Sequence, residues 1–160
     1  MKLIRAQGEY SVFEISKREK GLLLEVLNLY PLIPTTHYRL SKKAGTTKED
    51  ENQRLLEESL AAHRKENRKL ILAMLNEPER FQTKDSGYHF KLSRSEIEWL
   101  LQVLNDVRVG CWIALGSPET LYGKNIPLND KTAPHIRSME IAGAFEMIFL
   151  NSLTVRMPNG

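Results

Sequence analysis

From Thr46 to Glu77 the chain runs for 32 residues without a proline or a glycine, and a polar stretch of that length has few options other than one long helix. Thr46-Thr47-Lys48-Glu49 reads as a capping box, in which the Thr46 hydroxyl accepts from the amide three residues on and Glu49 reaches back to the amide of Thr46. At 1.5 Å per residue a helix over 48–76 is about 43 Å long. A compact chain of this size is about 40 Å across, so the helix must cross the whole molecule. Leu56, Leu60, Leu70, Ile71 and Met74 fall on one face with His63 and Asn67 between them, which makes the helix amphipathic with a polar middle. Its acidic start (Glu49, Asp50, Glu51) and basic end (Arg64, Lys65, Arg68, Lys69) suit the helix macrodipole.

Two further capping boxes mark further helices. Ser16-Lys17-Arg18-Glu19 opens one that carries Leu22, Leu23, Val26, Leu27 and Tyr30 and stops at Pro31. Ser93-Arg94-Ser95-Glu96 opens another that runs to about Leu115 and is ended by Gly116 and Pro118. A fourth helix is expected from about Pro134 to Val155. Ahead of all of them, the first fifteen residues alternate around Gly8 with period two, which predicts a β-hairpin turning near Gln7-Gly8-Glu9. Residues 77–92 read as a loop, in which Tyr88-His89-Phe90-Lys91-Leu92 alternates well enough to be a short strand that joins the hairpin. The fold class that follows is mainly α: one four-helix domain over 1–160 with a small N-terminal β-hairpin, three-stranded where 88–92 joins it. No linker or repeat divides the chain.

The chain has 160 residues, of which 41% are hydrophobic and 27% charged, a balance that excludes a disordered chain and a membrane-embedded one. The opening Met1–Gly8 shows no apolar run and no small-residue cleavage site, and Cys111 is a lone cysteine, so a cytoplasmic chain without disulfides is expected. Net charge is +3, split as +4 over residues 1–92 and −1 over 93–160. That excess is smaller than a committed nucleic-acid binder carries.

The third helix holds the anomalous residues. Ile97, Leu100, Leu101, Leu104, Cys111 and Leu115 make one face, while Trp99, Val103, Gly110 and Ile113 make the opposite one. A helix apolar on both sides is buried centrally, yet Arg108 interrupts the first face and Asp106 the second. They point about 160° apart at 100° per residue, so each needs a partner from elsewhere. Glu140 and Glu146 on the last helix, or His63 and Asn67 on the long one, are the available polar groups. A buried network that fixes how the helices dock is the plainest reading of Arg108 and Asp106.

Trp99-Leu100, Leu104-Asn105-Asp106-Val107-Arg108 and Leu115-Gly116 resemble the Trp-Leu … Leu-Asn-Asp-x-Arg … Leu-Gly segment of a bacterial domain-of-unknown-function family, found mainly in actinobacteria. Gly8 through Tyr30 is similar to that family's hairpin and first leucine-rich helix, while 117–135 has no counterpart in it. The resemblance implies an intracellular, mostly helical protein. It carries over no catalytic residue, because the family has no established activity. Some members are encoded near the adaptor of the Clp protease, which implies regulation or protein turnover.

The signatures GxGxxG, P-loop, HExxH and GxSxG are all missing from the chain. His37, His63, His89 and His135 are far apart, so none forms a helical metal pair. Cys111 on an apolar face reads as a small hydrophobe, although Arg108 one turn earlier has the charge to activate it. The function expected is a non-enzymatic protein-interaction or regulatory module that uses no cofactor. Two other uses stay open. Asn105, Asp106, Arg108 and Glu140 could bind a small anionic ligand or serve an enzyme, because Arg captures carboxylates and phosphates in bidentate fashion. Arg64, Lys65, Arg68 and Lys69, like-charged at i,i+4, could meet nucleic acid, the less favoured partner. Finally, residues 136–155 are apolar around nearly the whole circumference, with Gly143 and Ala144 permitting close approach. This predicts a homodimer through the last helix.

Overall fold

The computed structural model describes residues 1–34, 47–119 and 126–154. In chain order these form β1 (Lys2–Gln7), β2 (Tyr10–Ile15), α1 (Lys17–Leu27), α2 (Thr47–Leu75), β3 (Phe81–Lys84), β4 (Gly87–Ser93), α3 (Arg94–Ala114) and α4 (Ala133–Thr154). The chain is mainly helical, as its patterning predicts, but its sheet is larger than a hairpin or three strands. Four antiparallel strands lie in the order β1-β2-β4-β3. Residues 81–84 escaped the pattern because Phe81-Gln82-Thr83-Lys84 is too short to show a period by itself. It is stabilised as a strand by its partner, with Phe81 opposite Phe90 and the two rings stacked 4.4 Å apart. Gly87 closes that hairpin against the backbone of Ile15, where a Cβ would come within 2.4 Å of the Ile15 carbonyl oxygen.

The turn between β1 and β2 is built on Gly8, whose φ of 62° lies in the left-handed region. Both capping boxes that the described residues cover are present: Ser16 with Glu19 and Ser93 with Glu96 each exchange side-chain and backbone hydrogen bonds. The box expected at Thr46 lies outside the described residues. Helix α1 is shorter than predicted, ending at Leu27 instead of Tyr30: Leu29 and Tyr30 donate to the carbonyls of Val26 and Leu27 three residues back, and a residue that precedes proline is disfavoured in helical geometry.

The sheet lays one face on the helices. Phe13, Ile15, Phe90 and Leu92 point inward and are fully buried. They meet Leu23 and Val26 of α1, Ile97, Leu100 and Leu104 of α3, and Phe149 of α4, whose ring stands edge-on to Phe13 at 5.4 Å. Helix α2 stands apart from this arrangement. It buries Arg64, Ile71, Met74 and Leu75 out of 29 residues. Leu70, placed on the inner face by periodicity, is 50% exposed.

Candidate functional site

The segment after α1 supplies the feature around which the site is organised. Residues 28–34 leave helical geometry, with a cis peptide at Tyr30-Pro31, and their backbone groups must find partners outside regular structure. Helix α3 presents Asp106 and, one turn later, Gly110 to this segment. Asp106 Oδ1 accepts from the amides of Leu32 (2.7 Å) and Ile33 (3.2 Å). Gly110 admits Leu32 to contact, since a Cβ there would lie 2.7 Å from the Leu32 side chain. From the other side, Arg64 of α2 donates to Asp106 Oδ2 and to the Ile33 carbonyl, each at 2.5 Å. Arg68 donates to the Tyr30 carbonyl at 2.8 Å. One carboxylate and two guanidinium groups thereby fasten α2 to α3 through the segment between α1 and α2.

Beside this clamp lies a cleft of about 240 Å³ between α2 and α3. Its floor is the Arg64–Asp106 pair, and its walls carry Tyr30, His63, Asn67, Trp99, Gln102 and Asn105. Asn67 Nδ2 reaches His63 Nε2 at 3.3 Å and the Tyr30 hydroxyl at 3.5 Å. The floor is electrically balanced, because the charge of Arg64 is matched by that of Asp106.

Arg108 points elsewhere, as the helical wheel requires. Its Nη1 pairs with Glu146 of α4 at 2.5 Å, with the Glu146 side chain 9% exposed and that of Arg108 43% exposed. Its Nε is buried against Gly143 and has no hydrogen-bond partner among the described residues. The four residues Asn105, Asp106, Arg108 and Glu140 therefore do not form one cluster. Asn105 and Asp106 belong to the cleft, Arg108 belongs to the α3–α4 interface, and Glu140 is exposed near the start of α4.

The basic group divides in the same way. Arg64 is buried in the clamp and Arg68, though exposed, reaches the Tyr30 carbonyl at its edge, while Lys65 and Lys69 are exposed and Lys69 pairs with Glu66 one turn away. The partner of Asp106 is thus Arg64, not His63 or Asn67. Sequence reasoning missed this because Arg64 sits among three other cations. The available signal was its helical alignment with Leu60, Asn67 and Ile71 on the inner face.

A second buried guanidinium was also missed. Arg80 donates to Glu96 at 2.6 and 2.9 Å, to Glu77 at 2.5 Å and to the carbonyls of Met74 and Lys91. It ties the end of α2 to the junction of β4 and α3. Burial raises the Glu96 carboxyl, but hydrogen bonds from Arg80 and from the Ser93 amide outweigh this and hold it below the usual carboxylate range. Cys111 is fully buried and burial alone pushes its thiol up to about 11, so Arg108 does not activate it.

Among the described residues no group of three His, Cys, Asp or Glu side chains is placed to hold a metal ion, and no helix is long and apolar enough to cross a membrane. Comparison with protein-family models, with curated proteins and with solved structures finds no match to this chain.

Proposed function

We propose that this chain is a non-enzymatic module that acts through protein contacts. The observation that supports it is that Asp106 and Arg108, on opposite sides of α3, are each committed to structural partners. Both oxygens of Asp106 are engaged by Arg64 and by the amides of Leu32 and Ile33, and Arg108 is held by Glu146. Groups committed in this way are poorly placed to transfer protons or to trap an anion. A cytoplasmic location and membership of the helical bacterial family that the α3 segment resembles are parts of the same proposal.

The contact surface we assign is the outer face of α4. Ala144, Met147 and Leu150 are exposed there, Met147 at 66% and Leu150 at 52%. They fall within one stripe, while Phe145 and Phe149 face the core. A two-fold pairing of this stripe with a second copy buries the apolar side chains that the single chain leaves in water. Sedimentation equilibrium at micromolar concentration tests it. A mass near twice 18.4 kDa is expected for the parent and the monomer mass for Met147→Glu/Leu150→Glu. A parent that stays monomeric removes the self-association, and capture of one partner by the parent but not by the double variant then decides for a different protein on the same stripe.

The cleft between α2 and α3 favours a second reading, a small ligand. Its balanced floor and its amide, phenol and indole walls suit an uncharged polar molecule better than an anion. Chemical-shift perturbation of Trp99, Gln102 and Asn105 by a small-molecule fragment set tests this, and the absence of any saturable shift at millimolar concentration rejects it.

A further inference from the structure

The face of the sheet turned away from the helices carries chemistry that neither the clamp nor α4 uses. Side chains alternate along each strand, so inward Phe13, Ile15, Phe90 and Leu92 leave their neighbours on the opposite side. Register aligns them in rows. Arg5, Val12 and Lys91 lie side by side across β1, β2 and β4, and Lys2, Glu14 and His89 make the next row. The bulge at Ile4 is what brings both Lys2 and Arg5 to this face despite the odd spacing between them. Lys84 on β3 shares their parity, because Gln82 stands opposite His89.

This face is basic and aromatic. Arg5, Lys84 and Lys91 are exposed and make no ion pair with any described residue, whereas Glu14, the one acid on the face, is paired with Lys2 at 2.8 Å. Glu9 and Asp85 sit in the hairpin turns at opposite ends. Tyr10 is 45% exposed, with Lys91 Nζ 4.3 Å from its ring centre. Lys91 lies over one face of the Tyr10 ring, so a base stacks on the other face, while this ammonium and the exposed Arg5 and Lys84 are left to take the phosphates. Four strands span about 14 Å at 4.8 Å spacing, a broad sheet face, whereas a duplex groove is read by an inserted helix or two-stranded ribbon. Apolar exposure here is confined to Ile4 at the bulge, 41% exposed, and half-buried Val12, less than a surface built to insert into lipid presents.

From this we infer that the outer face of the sheet binds single-stranded nucleic acid, with Tyr10 as a stacking platform and Arg5, Lys84 and Lys91 as phosphate contacts. This inference is independent of the α4 interface, and it places the contact away from the basic stretch of α2.

Fluorescence anisotropy with a labelled 12-nucleotide RNA and the matching DNA single strand tests it on the full chain, alongside the same sequence as a duplex, heparin and anionic vesicles. Binding of the single strands at about 50 mM salt, falling steeply as salt rises, is expected. Tyr10→Ala should weaken it about tenfold, the scale of one lost stack. Each of Arg5→Ala, Lys84→Ala and Lys91→Ala should lower the salt slope by about 0.7, the value for one single-strand phosphate contact. All four side chains are exposed, and circular dichroism confirms that the variants fold. No binding at low salt overturns the inference. So does equal or tighter binding of heparin, duplex or vesicles with no effect of Tyr10→Ala, which marks a general polyanion surface. Loss of binding in Lys65→Ala/Lys69→Ala with the sheet variants unaffected also overturns it and moves the contact to α2.

Discussion

Replacing Asp106 with alanine removes in one step the counter-charge of Arg64 and the acceptor of two backbone amides. The side chains of Arg64 and Asp106 are 10% and 11% exposed, so neither can turn to water unless α2 moves off α3. A charge left unpaired in such a site costs about 3–5 kcal/mol, and each orphaned buried amide about 1–3 kcal/mol. Segment 30–33 can peel away and rehydrate its amides, which limits the sum, so Asp106→Ala is expected to lose about 4–5 kcal/mol. Asp106→Asn keeps an oxygen for Leu32 and Ile33 but turns its NH2 toward the Arg64 guanidinium, so it loses the counter-charge and that hydrogen bond, an expected cost of about 3 kcal/mol. Domains of this size have about 5–15 kcal/mol in total, so the alanine variant is close to unfolding and the asparagine variant is not. Urea unfolding followed by circular dichroism gives the free energies, and amide exchange at Leu32 and Ile33 gives the local signature. Both amides should be protected in the parent, retained in Asp106→Asn and released in Asp106→Ala. Equal losses in the two variants refute the amide contribution, and losses within about 0.5 kcal/mol of the parent refute the clamp altogether.

Four further outcomes are expected. Arg108→Ala strands the buried Glu146 carboxylate, but Arg108 is itself half exposed, so the loss should be about 2–3 kcal/mol, below the range for a fully buried pair; a urea melt within about 0.5 kcal/mol of the parent contradicts it. Gly110→Ala, which in an open helix would stabilise by about 1 kcal/mol, should here destabilise by about 1–3 kcal/mol because its methyl meets Leu32, read by the same melts. The Glu96 carboxyl is held low in the folded state, so its contribution is complete above the unfolded value of about 4.3 and is lost as pH falls through the lower folded value. Glu96→Gln should therefore be less stable than the parent at pH 7, with the gap closing below about pH 4 in pH-dependent thermal melts; a constant gap refutes it. The Cys111 thiol should resist a disulfide reagent at pH 8 in the folded protein and react at once in denaturant, whereas fast labelling of the native chain would show the helix interface to be open.

What the amino-acid order determined on its own is local. Ser16 with Glu19 and Ser93 with Glu96 close their rings within four residues, so helix starts could be read directly, and Gly8 marked the first turn because its backbone needs a positive φ. The long α2 followed from the lack of helix breakers, and the division of α4 into a core face with Phe145 and Phe149 and a wet face with Met147 needed its neighbours to be seen. Everything decided by pairing across the chain lay beyond such a reading. Strand β3 has too few residues to signal itself and exists because β4 offers it a ladder. Arg64 looked like one cation among four until α3 brought a carboxylate to it, and Arg80 in a presumed loop became a buried tie between α2, β4 and α3. The basic face of the sheet likewise comes from register and a bulge that place Lys2, Arg5 and Lys91 together from distant positions. Hydrogen bonds and periodicity act over a few residues and leave a mark in the order of the chain; the partner of a buried charge is chosen by which elements pack together, and that depends on the whole core.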